Sequence, residues 1–147
     1  MSTNAAGWTS EEFLLIAERA YEIHLQGKHT EALTIIRGLL AIDPGNIYCL
    51  DAAAALSLAL KRPDNALQYT SLLLSVSPAH DNAMARQCEA NIVLGRYREA
   101  HDVLHLLKHT GSTALYKRMK MRLAAALRAP ISAANAESTD RLNAITK

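Results

Sequence analysis

Three histidines at intervals of four residues, in the stretch "REAHDVLHLLKHTG", form the pattern with the clearest metal-binding chemistry. His101, His105 and His109 would share one face of a helix, and two imidazoles at i and i+4 can chelate a metal ion. The apolar period of the same segment predicts a different buried face, carried by Ala100, Leu104 and Leu107. We therefore interpret the histidines as a solvated outer stripe, with a metal site and a pH-sensitive contact as the alternatives.

Other reactive residues do not form a catalytic pattern. Cys49 and Cys88 fall on different predicted helices without metal-ligand spacing, which favours reduced structural thiols. The sequence has no glycine-rich loop that would cradle phosphate and no serine in a G-x-S-x-G elbow, and its carboxylates are scattered. We predict a protein that is not an enzyme and has no cofactor and no metal.

Length, charge and apolar content exclude further classes of protein. The chain has 147 residues, enough for one domain with a core, and its net charge of +2 is too mild to indicate a nucleic-acid partner. The N-terminus lacks the basic and apolar regions of a secretory signal. The longest apolar stretch, 52–60, is far shorter than the roughly 20 residues that span a bilayer. These features predict a cytosolic protein without membrane insertion.

The histidine stretch belongs to a phrase that occurs twice, as "QGKHTEAL" and as "LGRYREAH", and the second copy starts 68 positions after the first. Half of that interval also recurs, since Ala32, Ala66 and Ala100 stand 34 residues apart, as do Pro44 and Pro78. A period of 34 with small residues at fixed points is typical of helix-turn-helix repeats of the tetratricopeptide (TPR) type. The chain resembles the TPR family on these residues.

The resemblance implies three repeats, at 13–46, 47–80 and 81–114. The family's small residue at the helix crossing falls on Ala20, Ala54 and Cys88. Its turn position falls on Gly27, Lys61 and Gly95, so the middle repeat departs from glycine, although Pro63 can open the next helix there.

The implied fold is all-α, with three TPR repeats and a C-terminal capping helix in a right-handed superhelical array around a concave groove. Thr9 and Glu12 form a capping-box pattern that begins the first helix. We predict helices at 10–26, 30–41, 47–60, 63–76, 81–94, 97–109 and 113–128. Around this domain, 10–128, residues 1–9 are expected to be flexible and residues 129–147 to be disordered in the isolated protein.

The first helix of each TPR repeat lines the groove, which implies three sets of partner-binding residues here. They are Leu14, Ala17, Tyr21, His24 and Leu25; Tyr48, Asp51, Ala55, Leu58 and Ala59; and Asn82, Ala85, Glu89, Ile92 and Val93. This largely apolar surface suits an extended or helical peptide. The alternative is coverage by the chain's own tail, by its N-terminal segment or by a second copy in a homodimer.

One frequent TPR role is not supported by these positions. TPR proteins that hold the acidic C-termini of heat-shock chaperones share a cluster of Lys, Asn and Arg, and the matching positions here are Ala17, Tyr21 and Ala52, with only Arg86 charged. Without donors, a buried carboxylate would cost several kcal/mol. We therefore do not expect an acidic C-terminus as the ligand.

A closer resemblance is to the small TPR chaperones of bacterial type III secretion, carried by "EEFLLIAERAYEIHLQGKHTEALTIIRGLLAIDP" and "ANIVLGRYREAHDVL". It implies a cytoplasmic bacterial chaperone that keeps a small secreted protein, or an export-gate component, soluble and ready for export, alone or with a co-chaperone. Translocator chaperones carry an extra helix before the first repeat, whereas this first repeat starts near residue 13, which favours needle-type or export-gate-type chaperones. A general TPR scaffold in a larger assembly is the alternative.

The last predicted helix carries a run of basic residues with no acidic residue between them. They are Lys117, Arg118, Lys120, Arg122 and Arg128. We interpret them as a solvated face of the cap, with docking onto an acidic partner surface as the alternative.

Overall fold

Seven helices occupy the part of the chain that the computed structural model describes, residues 7–129. They are α1 (Ser10–Leu25), α2 (His29–Ile42), α3 (Ile47–Ala59), α4 (Pro63–Val76), α5 (Asp81–Val93), α6 (Tyr97–Lys108) and α7 (Thr113–Arg128). The sequence pattern predicted each of these ends to within one residue.

Side chains at the helix starts explain this agreement. The Thr9 hydroxyl accepts a hydrogen bond from the Glu12 amide at 3.2 Å, and the Glu12 carboxylate accepts one from the Thr9 amide at 2.8 Å, which confirms the capping box. Asn46 caps α3 by accepting from the Cys49 amide, and His80 occupies the equivalent position before α5. These two caps are one repeat length apart and satisfy N–H groups that a helix leaves unpaired.

The turn after the first helix of each repeat has the same hydrogen-bond geometry. The amides of Lys28, Arg62 and Arg96 donate to carbonyls five residues earlier, and the preceding amides donate three residues back, as in a Schellman motif. The motif needs one residue with positive φ, and that residue is Gly27 (φ 78°), Lys61 (φ 60°) or Gly95 (φ 70°). Lys61 therefore adopts a backbone conformation that its side chain disfavours.

We expect Lys61→Gly to stabilise the protein. Relief of the left-handed strain, about 1–2 kcal/mol, exceeds the extra chain entropy that glycine loses on folding, about 0.5–1 kcal/mol, so the free energy of unfolding should rise by about 0.5–1 kcal/mol. Urea unfolding would measure the change. Gly27→Ala is the matched control and should destabilise the protein, since φ is 78° there. Because no atom lies within 4 Å of an added Cβ, the loss would report backbone strain and not a steric clash. An unchanged midpoint for Lys61→Gly would contradict the strain.

Residues Met1–Pro78 form the first of two compact units, described from Gly7 onward, in which α1 packs on α2, α2 on α3 and α3 on α4. Its core contains the small residues expected at the helix contacts, Ala20, Ala32, Ala54 and Ala66, each at most 1% exposed. Larger side chains complete it, namely Ile23, Leu33, Ile36, Leu39, Leu50, Leu56 and Leu73. Ser57 is also fully buried and donates to the Ala53 carbonyl at 2.7 Å, so its hydroxyl is satisfied inside the helix.

The second unit, Ala79–Lys147, is described as far as Ala129, and in it α5, α6 and α7 all pack on one another. Cys88 and Ala100 are fully buried at the α5–α6 contact, where the Cys88 thiol lies 3.5 Å from the Ala100 carbonyl. The α7 helix buries Met119 and Leu123, which lie four residues apart on one side of the helix. The last helix thus covers apolar surface of the preceding repeat, as a capping helix should.

The ends of the described range bear on the predicted domain boundaries. Trp8 lies in the segment predicted to be flexible, yet it is partly buried against the core of the first unit. Described packing therefore begins two residues before residue 10. The predicted disorder of 129–147 concerns residues that, after Ala129, lie outside the described range. No helix within residues 7–129 has the length and apolar character needed to cross a membrane.

Candidate functional site

The first helices of the first two repeats present large apolar side chains to solvent. On α1, Leu14, Tyr21 and Leu25 are 53%, 55% and 66% exposed, and on α3 Tyr48 is 48% exposed. We call this surface the α1/α3 face. Asp51, Ala55 and Leu58 of the predicted set are half-buried on α3, and Ala59 is exposed. Both helices place their residues on one side through steps of three and four.

Ala17 is a predicted groove residue that offers almost no surface. It is 1% exposed, because a small side chain allows the neighbouring helix to approach closely at this level. It nevertheless contributes to the lining of a cavity of about 320 Å³ between the start of α1, the loop after α2 and the start of α3. The cavity is lined by Trp8, Ser10, Phe13, Leu14, Ala17, Asp43, Asn46 and Tyr48.

Tyr48 connects the cavity with the rest of the α1/α3 face. Burial raises the pKa of its hydroxyl, and the nearby Cys49, Tyr21, Glu18 and Asp51 raise the pKa further. The structure therefore brings together Tyr21, Tyr48 and Asp51, which the sequence placed on two different helices. Tyr48 stays protonated at neutral pH and can donate a hydrogen bond to a partner.

A histidine pair lies at the C-terminal end of α1. The Nδ1 atoms of His24 and His29 are 2.9 Å apart, and the His24 ring centroid is 6.3 Å from that of Tyr21. One Nδ1 must donate and the other accept, so the contact requires at least one neutral ring. Burial, and then the proximity of His29, lower the pKa of His24.

This pair should make stability depend on pH. The unfolded chain takes up a proton at His24 near the ordinary pKa of 6.5, whereas the folded chain resists protonation to lower pH. Stability is therefore complete above about pH 6.5 and is lost as pH falls through the lowered pKa. Urea unfolding between pH 7.5 and 5 should show this fall, with a smaller slope in His24→Gln. Identical slopes in the two proteins would contradict it.

The predicted groove residues of the second unit are arranged less uniformly. Asn82 is exposed and Val93 is 58% exposed, while Ile92 is half-buried. Ala85 is 3% exposed, so this position is not an accessible groove residue as predicted, because α5 uses it as a small contact residue in the packing. The fifth residue, Glu89, accepts a salt bridge from Arg122 of α7 at 2.7 Å.

One member of the predicted basic face of α7 also pairs with α5. The Arg122 side chain is 48% exposed, as expected of a solvated face, and its guanidinium forms the salt bridge to Glu89. Lys117, Arg118 and Arg128 are exposed, and the Lys120 ammonium lies 5.9 Å from the centre of the Tyr116 ring. The predicted basic residues of α7 thus all lie at its exposed surface.

The remaining candidates for metal binding or nucleophilic chemistry are three histidines and two cysteines. His105 and His109 are exposed with ring centres 5.0 Å apart, and His101 is half-buried. Within residues 7–129, no three His, Cys, Asp or Glu side chains are grouped so that they could hold a metal ion. Cys49 and Cys88 are free thiols, and burial raises the pKa of each to about 11, so neither is a ready nucleophile at neutral pH.

Sequence reasoning missed five of the eight residues that line the cavity, namely Trp8, Ser10, Phe13, Asp43 and Asn46. A signal for two of them was present, because Trp8 precedes the N-cap Thr9 and Phe13 is the fourth helical residue. These are the two positions of a hydrophobic staple, whose side chains pack together at a helix start.

Solved structures with the same architecture include TPR domains that bind peptides. The first TPR of Spaghetti (RPAP3), solved with the HSP90 peptide SRMEEVD, matches 81% of this chain and 95% of its own at 20% identity and a TM-score of 0.73. PcrH from Pseudomonas aeruginosa matches 82% and 95% at 18% identity, with a TM-score of 0.75. The Yersinia enterocolitica type III secretion chaperone SycD, in complex with a peptide of the translocator YopD, matches 95% and 98% at 14% identity, with a TM-score of 0.72.

These likenesses and the 34-residue geometry define an all-α protein with the TPR fold. The predicted fold class and the predicted resemblance to TPR proteins, type III secretion chaperones among them, are thereby confirmed. No protein-family model matches the sequence, and no curated protein matches it.

Proposed function

We propose that this chain is a cytoplasmic chaperone of a bacterial type III secretion system. It binds an apolar segment of a small secretion substrate, or of an export-gate component, on the α1/α3 face and keeps that partner soluble until export. The role is binding and not catalysis. The likeness to SycD in complex with its YopD peptide supports a translocator as one class of cargo.

The observation that carries the proposal is the exposure of Leu14, Tyr21, Leu25 and Tyr48, each about half or more exposed on one face. A soluble monomer gains nothing from leaving four large apolar side chains together in water, and such patches mark interaction sites. The adjoining cavity gives one partner side chain a place to be buried. The HSP90 and YopD peptides bound to the similar structures support a peptide or protein as the ligand.

A general TPR scaffold is the second candidate. The exposed Lys117, Arg118, Lys120 and Arg128 on α7 favour it, because a basic surface can dock on an acidic partner without using the α1/α3 face. The two candidates therefore depend on different surfaces of different units.

Matched double variants separate them. Leu14→Glu/Tyr21→Glu places two charges on the α1/α3 face, and Leu72→Glu/Val76→Glu places two on α4 at side chains of similar exposure, 53% and 51%. Burying a charge against a partner costs several kcal/mol, so the first variant should lose its partner while the second keeps it. Affinity capture from the native cells with mass spectrometry would identify the partner, and co-expression would then test whether the chain keeps that partner soluble.

One stoichiometric partner that is lost only with the α1 variant, and that precipitates when expressed alone, would support the chaperone. Several partners retained by both double variants but lost with Lys117→Glu/Lys120→Glu would contradict it and favour the scaffold. Circular dichroism of each variant would verify that the helices are intact.

A further inference from the structure

The cavity beside Tyr48 concentrates the chain's aromatic residues. The sequence contains one Trp, one Phe and five Tyr. Three of these seven residues line the cavity, namely Trp8, Phe13 and Tyr48. Three aromatic side chains around one space of about 320 Å³ offer π-faces and edges on several sides. Aromatic rings bind apolar groups, but they also attract cations through their quadrupoles.

A carboxylate in the lining favours the binding of a cation over the binding of an apolar group. Asp43 lines the same cavity and is half-buried, and its Oδ2 accepts a hydrogen bond from the neutral Asn46 amide at 3.1 Å. Asp43 is also the C-cap of α2, so the negative end of that helix dipole is at the cavity. Among the described lining residues none is Lys, Arg or His, so the Asp43 carboxylate makes the electrostatic potential inside the cavity negative.

Two helix N-termini at the cavity would by themselves favour an anion, since α1 and α3 both start there. Part of this donor capacity is already used, however. The Thr9 hydroxyl accepts from the Glu12 amide in the first turn of α1, and the Asn46 side chain accepts from the Cys49 amide in the first turn of α3. The Glu12 carboxylate also places a full negative charge at the start of α1. Capped ends with partial positive charge do not outweigh two carboxylates.

We propose that this cavity is a receptor for a basic side chain, above all an arginine, presented by the segment bound on the α1/α3 face. The guanidinium would lie against the rings of Trp8, Phe13 and Tyr48, with Asp43 as its counter-ion. Arginine suits the site better than lysine because its planar group stacks on aromatic faces and pairs with a carboxylate through two N–H groups. This inference rests on the proposed binding role of the α1/α3 face and adds the chemistry of one partner residue.

Trp8 provides a direct readout because it is the single tryptophan of the chain. The probe is the peptide acetyl-Ala-Leu-Arg-Leu-Ala-amide, compared with analogues that carry citrulline, norleucine or glutamate in place of the arginine. None of these peptides fluoresces, and excitation at the long-wavelength edge of the indole band avoids the five tyrosines, so a titration of the full chain reports Trp8. We expect the arginine peptide to bind about tenfold more tightly than the citrulline peptide, with a difference that shrinks as salt is raised.

Variants assign the effect to the cavity. Asp43→Asn keeps an oxygen for Asn46 and removes the charge, so it should abolish the preference for arginine over citrulline. Tyr48→Leu should weaken the arginine peptide several-fold and leave the norleucine peptide unchanged, which is a second test if Asp43→Asn disturbs the loop. Glu31→Gln is the matched control, since it removes an exposed carboxylate of the same unit outside the cavity.

A preference for arginine that depends on Asp43 and not on Glu31 would support the proposal. Equal or tighter binding of the citrulline or norleucine peptide would overturn it while leaving the apolar chaperone face intact. Tighter binding of the glutamate peptide would overturn it in favour of an anion site. No change in Trp8 emission with the arginine peptide at millimolar concentration would also overturn it, whereas the capture experiment above tests the proposed function independently.

Discussion

Ile36→Ala is expected to lower the free energy of unfolding by about 2–5 kcal/mol. Ile36 is 1% exposed in α2, among the largest fully buried side chains of the first unit, and α2 packs on both α1 and α3. Removing its side chain loses the burial energy of three carbon atoms and leaves a void that the neighbouring helices fill only in part. Because domains are stable by only about 5–15 kcal/mol, the change should be visible as a large shift of the urea midpoint.

Leu72→Ala serves as the control for this prediction. Leu72 is 53% exposed on α4 in the same unit, so its truncation should change stability by less than about 1 kcal/mol. A similar loss in both variants would show that the site of truncation does not matter, and would contradict the packing described for α2.

Replacing the alanines that recur every 34 residues with leucine should destabilise each repeat by about 1–3 kcal/mol. Ala32, Ala66 and Ala100 are fully buried where the second helix of each repeat packs on the first. Three extra carbon atoms at any of them would force the helix pair apart or drive neighbouring side chains from their rotamers. Thermal and urea unfolding of Ala32→Leu, Ala66→Leu and Ala100→Leu would measure whether the three repeats respond alike.

Ala41→Leu is the matched substitution at an exposed helical position of α2. It should be neutral within about 0.5 kcal/mol. If Ala32→Leu, Ala66→Leu and Ala100→Leu were as stable as Ala41→Leu, these alanines would not be what holds the helix pairs at close distance.

Much of the fold could be predicted from the sequence because its signals are local or periodic. Helix ends depend on caps a few residues away, such as Thr9 with Glu12, and those ends matched to within one residue. The left-handed turn at Lys61 also follows from the period, which places this residue where the other repeats have glycine. The exposure of Tyr21 and Tyr48 agrees with their helical positions, whereas their role in binding a partner stays a prediction.

The parts of the site that escaped prediction depend on residues far apart in sequence. Glu89 and Arg122 were assigned to different surfaces, yet they form one ion pair because α5 and α7 pack together. Ala85 matches a groove position in the repeat pattern but is buried, since the pattern gives the side of the helix and not how closely another element covers it.

The sequence by itself determined the number of helices in the described range, their ends and the small residues at their contacts, because hydrogen bonding within a helix and a repeat period of 34 are written in neighbouring residues. Only the tertiary structure decided that Trp8, Phe13, Asp43 and Tyr48 surround one cavity. Three separate segments must fold together before these side chains meet, and no local rule specifies which aromatic ring comes to lie beside which carboxylate.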